Sequence, residues 1–466
     1  MKRKLLTGLL YGLPAVFFAV CYFLITTTEE DIAQGANTPP DVWYDLLAAF
    51  RNNARLSDMY AWAVINFFDY QYSFGVDTIF RLIDLAAALG LLALLVSLAL
   101  GRRPRWNLKD ATIFAGSFLL FFLTPFGYTL YRGFSMIHNY LIIALALLGF
   151  SLPFLRKLSG KAIPTGYRKW YLAIPMGLAF GLSANFPPLA FLASYLIVKF
   201  IEWWKIRKQK SKWHNILPES WEWLMVGGMI CSMLIGYILG PGVSGYASDP
   251  VYTVSYDYVA VADIVTSLGG SVIRLVKHVI VNFGRTFVPA LLFLALSWTI
   301  AWVYSKKTKM KLEFLPQEVG TRNLLMAILT FCGFCTLAGT QIIMPIRLCL
   351  PAYLGLVVVS LVLGVNWWKQ LRPSQNALEF MGVGFAILII VLISVRSFLA
   401  WDFHERVRDV LQTIEKSDES SLCINLDEAT QRWKTPFNIM QQEETFVERR
   451  TTEQIIYGKR VTYCPR

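Results

Sequence analysis

Long apolar runs constrain the fold of this chain more than any other feature of its sequence. A helix needs about 20 apolar residues to cross the roughly 30 Å hydrocarbon core of a bilayer, and there it satisfies its own backbone hydrogen bonds. Eleven runs approach or reach that length, at 5–26, 82–100, 111–130, 137–155, 171–184, 187–204, 222–240, 287–305, 323–341, 349–367 and 377–396. The sequence therefore predicts an all-α polytopic membrane protein with about 11 transmembrane helices.

The basic residues indicate how these helices are oriented. Only 16% of the residues are charged, against about a quarter in soluble domains, and the net charge is +13. Of the 44 Lys and Arg, 25 lie in or beside alternate connectors, near 2–4, 102–109, 156–169, 199–212, 306–322 and 369–372. Positive charge resists translocation, so these connectors and the N-terminus are predicted to be cytoplasmic, and the C-terminus extracytoplasmic. Because the charges are dispersed between apolar runs, no nucleic-acid partner is expected.

The segment 171–204 admits two interpretations. The connectors on both sides of it are strongly basic, so an even number of crossings is required between them. A two-helix hairpin with a polar, proline-containing tip at Ser183 to Pro188 meets that requirement. The alternative is one span followed by a re-entrant piece.

The chain divides into a transmembrane domain and a C-terminal segment. The transmembrane domain covers 1–397 and carries large outer loops at 27–80 and 241–285. Residues 398–466 are predicted to form a small extracytoplasmic tail of mixed α/β structure.

Local patterns predict elements within these outer segments. Residues 42–50 and 59–68 are apolar on one side at helical spacing, which predicts helices lying on the membrane surface. A further helix is predicted over 261–282, and a hairpin over Gln454 to Cys464 that turns at Gly458.

The cysteines do not form a disulfide scaffold or a zinc site. Cys332 and Cys335 make a CxxC inside an apolar run, where packing is the expected role. Cys423 and Cys464 lie in the polar tail, where an extracytoplasmic location would permit a disulfide between them, and the sequence leaves open whether it forms.

Three carboxylates follow the first predicted helix directly on the outer side. Glu29, Glu30 and Asp31 cannot all ionise easily at such close spacing, so one of them could have a raised pKa and act as a general base. The alternative is an ordinary solvated helix end.

Two outer arginines are candidates for binding a lipid phosphate. Arg55 lies between the two predicted surface helices, and Arg347 lies in an apolar stretch between Pro345 and Pro351 at an outer helix boundary. The arginine fork fits phosphate oxygens, and a cation at membrane depth needs an anion. Headgroup anchoring by Arg55 and a structural salt bridge to Arg347 are the alternatives.

Two other outer segments carry cationic candidates. Arg132 and His138 belong to the short connector between the third and fourth predicted helices, where a lone histidine is more often structural than catalytic. Arg274, Lys277 and His278 have i, i+3, i+4 spacing and so share one helical face, which suits an anionic headgroup, whether of a substrate or of the membrane.

The sequence contains no motif that would bind ATP or a nucleotide sugar in the manner of soluble enzymes. No phosphate-binding glycine loop, HExxH or GxSxG occurs. An outer active site would therefore use a donor that arrives through the membrane. The sequence assigns no metal-ligating residues, and it leaves open whether a divalent metal, Mg²⁺ or Mn²⁺, takes part.

The order of parts resembles the GT-C superfamily of integral membrane glycosyltransferases. The shared features are a first helix, acidic residues opening a long outer loop, many spans and an extracytoplasmic tail. The run at 53–57, Asn-Ala-Arg-Leu-Ser, is similar to an Asn-(Gly/Ala)-Arg-Leu stretch in bacterial, O-antigen-type members. Pro241-Gly242 is similar to a Pro-Gly-Asn of that family, with Val243 in place of the Asn.

The resemblance implies an activity and residue roles. The donor would be a monosaccharide on a polyprenyl phosphate, and the acceptor a cell-surface glycan, lipid or protein, at the outer face of the bacterial cytoplasmic membrane. Glu30 or Asp31 would deprotonate the acceptor hydroxyl, and Arg347 with Arg55 would stabilise the departing lipid phosphate. The alternatives are an O-antigen-type polysaccharide ligase and a transporter or flippase of lipid-linked sugars.

Overall fold

Helices dominate the computed structural model, which describes residues 2–24, 74–122, 134–183, 186–208, 218–239, 268–338, 346–424, 454–456 and 459–463. The α-helices are α1 Lys2–Leu24, α2 Phe74–Leu100, α3 Leu108–Phe122, α4 Phe134–Leu158, α5 Trp170–Gly181, α6 Phe186–Lys208, α7 Ser220–Leu239, α8 Leu268–Thr308, α9 Val319–Ala338, α10 Leu350–Leu371 and α11 Gln375–Lys416. Short 3-10 helices occur at Thr165–Arg168 and Ile346–Cys349. Each predicted apolar run overlaps one of the α-helices.

Length and composition identify the membrane-crossing candidates. Within the described residues, 8 helices are long and apolar enough to cross a bilayer, namely α1, α2, α4, α6, α8, α9, α10 and α11. Helices α5 and α7 are apolar over shorter stretches, and α3 is described for 15 residues up to Phe122. The chain is therefore an all-α, multi-pass membrane protein.

The basic connectors lie together at one end of the bundle. We call this the basic end: the start of α1, the start of α7, and the connectors 101–107, 159–169, 309–318 and 372–374. Side chains link these segments to the neighbouring helix ends: Arg3 contacts Glu379 near the start of α11, Tyr11 donates to the Arg105 carbonyl, Lys157 at the end of α4 contacts Glu219, and Gln370 at the end of α10 accepts from the Glu313 backbone. The helices that these connectors join therefore begin or end at a common level.

Helix α10 forms the centre of the bundle. Its apolar stretch is 83% buried, and it contacts α2, α3, α4, α8 and α9. By contrast, the apolar stretches of α8 and α11 are only 17% and 22% buried. Their exposed side chains, such as Leu292 and Ile387, are apolar, as expected for helices that face lipid.

Helices α5 and α7 pack with their backbones in close contact. Gly177 and Gly181 form a GxxxG pattern on α5, and a Cβ on either would collide with α7, against the Met225 carbonyl or the Ser232 hydroxyl. Helix α5 has 12 residues and so rises about 18 Å, well short of the hydrocarbon thickness.

Helix α8 corrects the predicted boundary in the second outer segment. The sequence predicted a helix over 261–282 separate from a span over 287–305, but α8 runs unbroken from Leu268 to Thr308. Its length of about 60 Å is roughly twice the hydrocarbon core, so charged residues such as Arg274 and Arg285 mark where the helix leaves lipid, not where it ends. Pro289 is accommodated inside the helix.

The tail contains a small sheet in the order β1-β3-β2. The predicted hairpin is confirmed by β2 Gln454–Ile456 pairing antiparallel with β3 Lys459–Tyr463, and β1 Ser421–Ile424 pairs parallel with β3. Helix α11 continues past the domain boundary predicted at 397. Gly458, Cys464, the Cys423 side chain and the surface helices predicted at 42–50 and 59–68 lie outside the described part of the chain.

Candidate functional site

Most of the predicted outer site lies outside the described residues. This applies to Glu29, Glu30, Asp31, Arg55 and Arg132. Their predicted roles therefore stay predictions.

Arg347 and His138 are described at the level of the backbone. Arg347 belongs to the 3-10 helix Ile346–Cys349, directly before α10, and this short helix contacts α8. His138 lies near the start of α4. The fold thus brings the segment of Arg347 against the helix that carries Arg274 and Lys277.

The three candidates on α8 do not share one environment. Arg274 and Lys277 are exposed, whereas His278 is fully buried. Ser271 and Asn282 are buried with His278 and continue a polar stripe along the same helix. The three residues follow the helical spacing that was predicted, but His278 packs inward, and only Arg274 and Lys277 remain accessible to an anion.

Two further arginines lie where α1 ends, opposite the basic end. The Arg81 guanidinium donates to the Tyr22 carbonyl, and Arg396 lies beside the Cys21 thiol. Asp84, on the same helix as Arg81, is buried. The acidic triplet begins five residues after Leu24, so these two arginines lie near the last described turn of the helix that precedes it. Isolated arginines at the ends of apolar runs were the available signal for these positions.

A buried charge cluster lies at the basic end, and it was not predicted. The Glu222 side chain is 1% exposed and lies 2.7 Å from Lys157 Nζ and 3.6 Å from Lys199 Nζ. Tyr195 donates its hydroxyl to the same carboxylate over 3.3 Å. Lys199 also pairs with Glu202 at 3.1 Å. These five side chains come from α4, α6 and α7.

Glu219 extends the cluster towards the end of the bundle. Its carboxylate lies 3.0 Å from Lys157 Nζ and accepts a hydrogen bond from the Trp221 indole over 2.9 Å. The hydrogen bond from Lys157 lowers the pKa of Glu219 below its usual value, and the Trp221 hydrogen bond acts in the same direction. Glu219 is therefore ionised at neutral pH.

A cavity of about 170 Å³ opens beside this cluster. Its walls are mainly apolar and come from α4, α6, α9 and α10: Leu147, Phe154, Phe191, Phe331 and Val358 are examples. Lys157, Lys199, Glu202 and Glu222 line its polar part. A lone glutamate in the apolar run 222–240, with a lysine in the run 187–204, was the available sequence signal.

No family model, curated protein or solved structure matches this chain. Among the described residues, no group of three or more His, Cys, Asp and Glu could hold a metal ion. Cys332 and Cys335 are buried in α9, where the Cys332 thiol donates to the Ala352 carbonyl of α10, as expected for packing residues.

Proposed function

We propose that the chain is a glycosyltransferase that moves a monosaccharide from a polyprenyl-phosphate donor to a glycan, lipid or protein acceptor. The reaction takes place at the outer face of the bacterial cytoplasmic membrane. The architecture is GT-C-like, with eleven crossings, a cytoplasmic N-terminus and an extracytoplasmic C-terminus. The co-location of the basic connectors at one end of the bundle supports this orientation.

The contact between the Ile346–Cys349 helix and α8 is the observation that carries the proposal. It joins two elements that are remote in sequence and that both carry predicted donor-binding cations. On α8, the exposed Arg274 and Lys277 lie near the N-terminal end of the candidate span Gly270–Thr308, before the uncharged apolar run that follows Arg285. That depth is suited to a lipid phosphate. Arg55, Arg132 and His138 complete the proposed donor site.

The proposed reaction is an inverting displacement. Glu30 or Asp31 accepts the proton of the acceptor hydroxyl, whose oxygen attacks the anomeric carbon of the donor sugar. The new glycosidic bond forms as the bond between that carbon and the phosphate oxygen breaks, and its electron pair leaves with the polyprenyl phosphate. Arg347 and Arg55 stabilise the charge that develops on the phosphate.

Turnover of a donor panel tests the proposal. We expect purified protein to hydrolyse or transfer sugar from at least one polyprenyl-phosphate monosaccharide. Changing the catalytic carboxylate to its amide, in Glu30→Gln or Asp31→Asn, should lower kcat about a hundredfold or more. The exposed Glu318 near the start of α9 provides the matched control, and Glu318→Gln should retain activity.

The outcomes also separate the alternatives. A polysaccharide ligase depends on outer arginine and histidine, so full activity in Glu29→Gln, Glu30→Gln and Asp31→Asn would favour it over the proposed mechanism. A flippase would show no turnover with any donor. Cysteine labelling that locates residues 29–80 in the cytosol would refute the proposal directly.

A further inference from the structure

The cavity at the basic end has room for part of one hydrocarbon chain. It lies between α4 and α6, which meet through aromatic side chains: Phe154 and Phe191 have ring centroids 5.1 Å apart, and Phe154 and Tyr195 5.7 Å apart. A volume of about 170 Å³ exceeds the roughly 150 Å³ that suffices for a benzene ring in an apolar cavity. Leu196 and Phe200, on the exposed side of α6, continue the apolar surface towards lipid.

The polar part of the cavity is electrically neutral and contains both signs of charge. Lys157 and Lys199 supply two cations, and Glu202 and Glu222 supply two carboxylates. A purely anionic headgroup would bring a like charge against Glu222, which is 1% exposed and fixed in position. A purely cationic headgroup would meet the same difficulty at the lysines. A headgroup that carries both charges complements this arrangement.

We propose that the cavity binds one phospholipid whose headgroup carries a phosphate and a primary ammonium, as in phosphatidylethanolamine. The phosphate contacts Lys199, whose side chain is 19% exposed, and the ammonium donates to Glu202, which is 37% exposed. Part of one acyl chain fills the apolar body of the cavity. A primary ammonium is specified because carboxylate acceptors need N–H donors, which a quaternary amine lacks.

This site is separate from the proposed reaction site. The cavity is formed at the basic end, whereas the proposed donor site lies at the opposite end of the bundle. The two tests are therefore independent. A protein that binds no lipid in this cavity can still transfer sugar, and a protein that transfers no sugar can still bind the lipid.

Native mass spectrometry of the full chain in detergent tests the proposal. The probes are phosphatidylethanolamine, phosphatidylcholine and phosphatidylglycerol with identical acyl chains. We expect one phosphatidylethanolamine molecule to be retained. The other two lipids should be retained about tenfold more weakly, because each lacks one charge-assisted hydrogen bond that phosphatidylethanolamine makes. Equal retention of phosphatidylglycerol or phosphatidylcholine would overturn the proposal.

Two variants locate the bound lipid. Glu202→Gln should weaken phosphatidylethanolamine binding about tenfold, and its partial exposure makes misfolding of this variant unexpected. Ser194→Leu should abolish binding by filling the cavity that Ser194 lines. Lys208→Met is the matched control, because Lys208 lies on the same helix over the Trp204 ring at 5.5 Å, outside the cavity. Unchanged phosphatidylethanolamine binding in Glu202→Gln would refute the assignment.

Discussion

Replacing Glu222 by glutamine tests whether the buried charge cluster stabilises the fold. The change keeps the shape of the side chain and removes its charge. The 2.7 Å contact with Lys157 Nζ is the main loss, since a hydrogen bond between charged groups contributes about 1.5–3 kcal/mol. The 3.6 Å contact with Lys199 Nζ is too long for a hydrogen bond and adds less.

The remaining pairs limit the cost of this substitution. Lys157 keeps Glu219 at 3.0 Å and Lys199 keeps Glu202 at 3.1 Å, so neither cation is left alone. The larger cost of an orphaned buried charge, about 3–5 kcal/mol, therefore does not apply. We expect Glu222→Gln to lower the free energy of unfolding by about 2 kcal/mol.

Unfolding in mixed detergent micelles, with increasing SDS, measures this difference. Glu318→Gln is the control, and because Glu318 is exposed its effect should stay within about 0.5 kcal/mol. If Glu222→Gln unfolds at the same SDS fraction as wild type and Glu318→Gln, the charge of Glu222 contributes nothing to stability and the reasoning from burial and distance is wrong.

Two further predictions concern packing and pH. Gly181→Leu should destabilise the α5–α7 pair by about 1–3 kcal/mol in the same SDS titration, because its side chain meets the Ser232 hydroxyl and the Met229 carbonyl. Gly227→Ala is the control and should be tolerated, because a Cβ added there meets nothing within 4 Å. Burial raises the pKa of Asp110, but hydrogen bonds from the Arg102 side chain and the Arg105 backbone outweigh it, and the net shift is downward. A lowered folded pKa means that the stabilisation is complete above the unfolded pKa of about 3.9 and is lost as pH falls through the folded value. Asp110→Asn should therefore flatten the acid limb of a pH–stability curve, and an unchanged limb would contradict this assignment.

The helices were predictable because the bilayer restricts the possible solutions. An apolar run of spanning length must be helical, and each predicted run overlaps a helix in the described part of the chain. Boundaries outside the lipid were less predictable. Arg274 and Arg285 interrupt the apolar pattern of α8, yet a helix that leaves the membrane continues freely into water, so the predicted break near residue 285 was wrong.

The charge cluster was not predictable from spacing. Lys157, Lys199 and Glu222 come from three helices, and each alone has the pattern of an interfacial residue at a helix end. Their contact depends on how α4, α6 and α7 pack, which local sequence does not encode. The GxxxG of α5 was a signal only for the close contact between α5 and α7, since small residues allow two backbones to approach closely.

The length of α5 bears on the topology without changing the sidedness. Helix α5 rises about 18 Å, and α6 between Phe186 and Lys199 rises about 20 Å, so the two arms reach a similar depth from the level of the charge cluster. That depth is less than a hydrocarbon core of about 30 Å, so the hairpin crosses only where its arms extend past the level of the charge cluster, as α6 does by continuing to Lys208. The buried Ser183 hydroxyl, which donates to the Phe180 carbonyl over 2.8 Å, is suited to such a turn because it needs no water. If the α5–α6 hairpin crosses the membrane, it crosses twice, so every later helix keeps the same orientation whether or not the hairpin crosses. The proposed outer location of Arg274, Lys277 and Arg347 therefore does not depend on this point.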